Sequence, residues 1–240
     1  MDMRPFLLLA LFTAPLAAED DPRAAAADIA KRLNAPEDDL RIEALREAAT
    51  NQESSLVAPV AKLLKDDNPA VRAAAVEALV LRQTAADRRK AALALAARLK
   101  PLEKREEDAD ELSKVVQALH DLAQEASMKA LLDMDFDEER ALVRERLMAV
   151  ANVPSKEAVD RILQAGSRGR RGQQGRRATA VAALRYATQE DVGGGIDEWR
   201  AWWNDNKATF DPVKAAEKRA AARTAGDEKR RERENRRKGQ

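Results

Sequence analysis

The chain is 240 residues long, with 43 basic and 42 acidic residues but only three Trp, one Tyr and four Phe. It has no cysteine, which excludes disulfides, thiolate metal sites and a lipoprotein anchor, and its single histidine, His120, excludes a histidine-based metal cluster. Ala, Leu, Glu, Lys and Arg dominate, whereas β-branched and aromatic residues are few, so the fold class is all-α.

The first residues, MDMRPFLLLALFTAPLAAED, place Arg4 before an apolar run from Pro5 to Leu16, then Ala17 and Ala18, then acid. That is the order of a secretory signal peptide. The run is too short to span a membrane, which takes about 20 apolar residues. Residues 1–18 are therefore expected to be a cleaved signal, with an exported mature chain (periplasm, cell envelope or secreted) beginning at Glu19.

A repeat follows. VRAAAVEAL (71–79) and RRATAVAAL (176–184) align residue for residue, with looser copies at 40–48, 111–119 and 142–150. The last residues of the five copies lie 31, 40, 31 and 34 residues apart. A second helical pattern follows several of them. In SSLVAPVAKLLKDDN, Leu56, Val60, Leu63 and Leu64 share one helix face, and Pro59 fits only a first turn. TAADRRKAALALAARLK sets Leu93, Leu95 and Leu99 among alanines, and PSKEAVDRILQAG sets Val159, Ile162 and Leu163 on one side. Asp66–Asp67–Asn68–Pro69 supplies a turn between units. No helix–turn–helix unit of this length buries both its faces alone, so stacking into a solenoid is expected.

The stretch DDNPAVRAAAVEAL resembles the first helix of a HEAT repeat, through Asp66, Pro69, Val71 and Arg72. The resemblance covers about residues 36–190. The third unit lacks the Pro and the Arg, and PLEKREEDADEL beside it reads as an acidic insertion. The resemblance implies a right-handed α-solenoid of about five HEAT-like repeats over 19–211. It also implies a protein-binding scaffold that engages another protein through its concave face.

All three tryptophans fall in DEWRAWWNDNK. At about 100° per residue, Trp199, Trp202 and Trp203 span one arc, with Ile196 and Phe210 on or beside it and Arg200 and Asp205 away from it. EWRAWWNDNK also resembles the Trp-rich ends of exported bacterial HEAT-repeat proteins. The stripe is expected to be the buried face of a C-terminal capping helix, with Asp197 as N-cap after the glycines 193–195. The competing reading is an exposed platform for an apolar ligand.

Two basic stretches remain. GSRGRRGQQGRR (166–177) reads as a mobile inter-helix loop in which Arg168, Arg170, Arg171 and Arg176 form a possible anion-binding site; Arg177 belongs to the repeat. The tail 212–240 carries 11 Lys and Arg against five Asp and Glu and almost no apolar residue larger than Ala. It is expected to be disordered or a solvated helical extension. No catalytic, cofactor-binding or metal motif is found. His120 and Asp121 are adjacent, which does not by itself orient a carboxylate on the imidazole. The expected function is a non-enzymatic scaffold. The alternatives are a binder of anionic polymer, polysaccharide or nucleic acid, through loop and tail, and a HEAT-like DNA glycosylase. Confinement of Trp to one helix and the near-zero net charge disfavour the glycosylase.

Overall fold

The computed structural model describes residues 21–136, 141–167 and 174–238; the expected signal peptide and Arg168, Arg170 and Arg171 lie outside the described residues. Among the described residues there are twelve α-helices and no strand. They are α1 (Pro22–Arg32), α2 (Asp38–Thr50), α3 (Val57–Lys62), α4 (Pro69–Val80), α5 (Ala85–Glu103) and α6 (Ala109–Leu122), then α7 (Glu125–Leu132), α8 (Val143–Asn152), α9 (Lys156–Ser167), α10 (Gln174–Thr188), α11 (Ile196–Asn206) and α12 (Pro212–Lys238). No helix among them is long and apolar enough to cross a membrane.

The helices stack in two rows. In one, α2, α4, α6, α8, α10 and α12 each pack on the next. In the other, α3, α5, α7, α9 and α11 do the same, and α1 joins through the short turn Ser54–Leu56. The rows share one apolar layer, which makes an α-solenoid. Its register is that of the sequence repeat: Ala48, Leu79, Leu119, Val150 and Leu184, the last residues of the five copies, are all fully buried.

Local chemistry starts each unit. Asn68 caps α4 by accepting from the Ala70 N–H at 2.8 Å, and Pro69 takes the first helical position, where no N–H is needed. Arg41 and Arg72, equivalent in the repeat, reach back identically. Arg41 donates to the carbonyls of Ala35 and Pro36 at 2.8 and 2.9 Å, and Arg72 to those of Asp66 and Asp67 at 3.0 and 3.1 Å. Each also grips an acid of the following unit: Arg41 binds Asp66 and Arg72 binds Glu111. The repeat's arginine thus fixes both its own turn and its neighbour.

The acidic stretch between the second and third units is not a simple insertion. Pro101–Glu103 completes α5, Glu106–Asp108 forms a single 3-10 turn, and Ala109 onwards is α6. Its acids hold helices together. Glu111 receives both Arg72, at 2.6 Å, and Arg98, at 2.9 Å, and Glu103 receives the wholly buried Arg146 of α8.

The opposite edge, where α2, α4, α6, α8 and α10 end, carries a second set of ties. Arg82 donates to the carbonyls of Asn51 and Ala48, and Arg88 to that of Leu122 at 2.7 Å. Asn152 donates to His120 O at 2.8 Å and accepts from the Tyr186 hydroxyl at 3.1 Å. Arg219 donates to Ala187 O at 2.7 Å. Apart from the side-chain contact of Tyr186 with Asn152, these ties satisfy carbonyls at helix ends.

Candidate interaction surface

The Trp stripe lies on α11, which packs against α9 and α10. Its N-cap is Gly195 rather than Asp197; the Gly195 N–H donates to the Glu198 carboxylate at 3.2 Å. A helix start two residues earlier lets Ile196 reach the core, where it is buried. Trp199 and Trp203 are buried and Trp202 is half-buried. The buried indoles are hydrogen-bonded, Trp199 to Gly193 O at 3.2 Å and Trp203 to Asp160 at 2.8 Å. Trp202 stands edge-on to Trp199 at 5.7 Å, and Phe210 lies edge-on to Trp203 at 5.3 Å. Two of the three indoles are therefore unavailable as a stacking platform, for an apolar ligand or for a nucleobase.

The Arg-rich stretch 166–177 is not one loop. Gly166 and Ser167 finish α9, and α10 begins at Gln174. Gly166 is buried where α9, α10 and α11 meet; a Cβ there would sit 2.8 Å from both Ala180 Cβ and Ile196 Cδ1. Close helix approach, not mobility, requires glycine here. Arg176 is turned inward. Its Nε donates to Ala165 O at 2.9 Å and its guanidinium lies 3.6 Å from the centre of the Phe136 ring. That geometry gives it a packing role, which the basic composition of the stretch does not reveal. Arg177, also on α10, is exposed.

The tail begins as a sixth helix of its row. Ala215 and Arg219 of α12 are buried against α10, whereas residues 220–226 are exposed. The sequence expectation of a solvated extension misses this first segment because it weighs only apolar size. Arg219 docks by hydrogen bonding to Ala187 O and to Asn152 O, with Tyr186 beneath its guanidinium at 5.0 Å. Burial pushes the Arg219 guanidinium below its ordinary value.

His120 Nδ1 does meet Asp121 Oδ1, at 3.1 Å. A one-residue spacing allows it because both side chains lie at the exposed end of α6. The small hollow beside His120 is lined by Ser113, Val116, Gln117, Arg144, Glu145 and Met148. No group of three or more His, Cys, Asp or Glu among the described residues is placed to hold a metal.

What remains open to solvent is the outer face of each row. The faces differ. On α4 and α6, Glu77, Lys114, Gln117 and Asp121 surround the exposed Leu81, a mixed surface. Along α5 and its C-cap Lys104, the side chains of Arg89, Lys90, Lys100 and Lys104 are exposed, and Leu93 stands among them with 49% of its surface in water. Leu95 and Leu99 are buried, but two residues of helix put Leu93 about 200° from Leu95, on the far side.

Residues 26–101 match the family model for HEAT repeats. A solved structure, described as the crystal structure of an engineered protein, is 15% identical, with a TM-score of 0.42, and the match covers 84% of this chain and 97% of that chain. No curated protein matches the chain.

Proposed function

We propose, from the premise that this chain is a HEAT-repeat protein, that it is an exported, non-catalytic scaffold that binds another protein along an outer face of its helix rows. The observation that carries this reading is the stack itself. Five repeats in one register, tied at both edges, hold a long, preformed surface that needs no ordering on binding. HEAT repeats generally serve protein interaction, which supports the same reading. The apolar run 5–16 followed by Ala17 and Ala18 supports export.

The test is cross-linking of the mature chain in the envelope fraction of its source, followed by reconstitution with the purified cross-linked protein. A defined-stoichiometry complex in sedimentation experiments is expected. Failure of any purified candidate to form one overturns the scaffold reading. N-terminal sequencing checks export separately: a start at or near Glu19 is expected, and intact Met1 on cytoplasmic protein overturns it.

A further inference from the structure

The scaffold reading leaves open which face binds and what it binds. The α3–α5 face has an unusual balance. The only acids on α3 and α5 are Asp87 and Glu103, and their side chains are just 1% and 17% exposed. Asp87 is taken by the hydroxyls of Ser54 and Thr84, at 2.6 and 2.8 Å, and Glu103 by Arg146. The cations are outside. Arg89, Lys90, Lys100 and Lys104 fall within an arc of about 100° around Leu93 and extend about 22 Å along the helix. Lys62 on the adjacent α3 is exposed as well. Lys62, Arg89 and Lys104 have no acid within salt-bridge distance among the described residues.

We infer that this face is the docking surface for an acidic protein segment that carries an apolar side chain between its carboxylates. Charge complementarity selects the acid: Lys90 is paired with Asp87, and Lys100 with Glu103 and Asp133, but Lys62, Arg89 and Lys104 keep a net positive charge with no ion-pair partner among the described residues. Leu93 selects a protein over other polyanions. It stands in line with the exposed Ala97, in the middle of the basic arc, where a sugar–phosphate backbone would gain nothing by covering it. An apolar side chain of a peptide removes that surface from water, and its flanking carboxylates reach the cations on either side.

The inference rests on the scaffold reading, and its test separates the two. Two synthetic acidic peptides of about 15 residues, enough to match the arc as a helix, serve as probes. They have equal charge, and one carries a central Leu pair where the other carries Ser. The full mature chain is expected to bind the Leu peptide about tenfold more tightly, as burial of a leucine implies. Lys62→Glu, Arg89→Glu and Lys104→Glu together should weaken the Leu peptide at least tenfold, with circular dichroism melting unchanged because none of the three is paired. Leu93→Ser should make the two peptides equal. Equal binding of both peptides by the unaltered chain, or undiminished binding by the charge-reversed chain, overturns the inference. So does a single-stranded oligonucleotide or an anionic vesicle that binds this face and displaces the Leu peptide outright. If the cross-linked partner forms its complex equally well with the charge-reversed chain, this face is wrong and the scaffold reading stands.

Discussion

Arg146 of α8 is wholly buried, and its guanidinium donates to Glu103 at the end of α5, 43 positions earlier in the chain. Burial pushes Arg146 below its ordinary value, and the Glu103 carboxylate opposes that shift. Glu103→Gln is expected to leave a buried charge uncompensated. A loss of about 3 kcal/mol or more follows, at the low end of the range for a broken buried pair because Glu103 keeps some contact with water. Replacing both residues with Leu and Met should cost much less. Urea unfolding of the single and double variants checks this; equal losses in the two would show that the pair's charge is irrelevant.

Trp199 is the largest fully buried side chain. Trp199→Ala is expected to cost about 3–5 kcal/mol through the cavity left behind. Trp202→Ala, which removes a half-buried ring, should cost clearly less. Native tryptophan emission should be blue-shifted and move red on unfolding. Unchanged melting for Trp199→Ala would show that α11 is not needed to close the apolar layer.

Two truncations should behave differently. Removing 224–240 leaves the buried Ala215 and Arg219 in place and should change stability by less than about 0.5 kcal/mol. Removing 212–240 also deletes Arg219 and strips hydrogen bonds from the carbonyls of Ala187 and Asn152. That should cost about 1–3 kcal/mol. Calorimetric melts of the two chains side by side measure it, and identical curves would show that the first turns of α12 contribute nothing.

Asp87 supplies an acid-sensitive tie between Ser54 and the start of α5. Burial raises its carboxyl, but hydrogen bonds from Ser54 and Thr84 together with the nearby Lys90 ammonium outweigh that and hold it below the ordinary carboxylate value. A depressed value in the folded state gives stability that is present above the ordinary value, about pH 4, and lost as pH falls through the folded one. Asp87→Asn should therefore narrow the stability difference between neutral solution and about pH 3. Denaturant melts at both pH values decide it; an unaltered difference would assign the acid sensitivity to other carboxylates.

The repeat register was legible because Leu79 and Leu184 recur in matching helical frames and must face the same layer. The five helix pairs follow from that. The docking of Arg176 on Phe136 was not legible, since a cation's partner 40 residues away leaves no periodic trace. Gly166 was misread for a related reason. A glycine beside arginines signals a loop by composition, and only the approach of α10 and α11 shows that a helix needed it. Leu93 is the reverse case: an apolar residue in an apolar run, two positions out of phase with the core.

The ties at both edges have a mechanical meaning. A stack of helix pairs held only by its central layer would flex like a spring, opening along one edge as it closes along the other. Here bending in either direction must stretch bonds such as Arg72 to Glu111 or Asn152 to His120. The molecule should therefore act as a stiff beam with a fixed outline, so that any partner long enough to touch several repeats must itself do the bending.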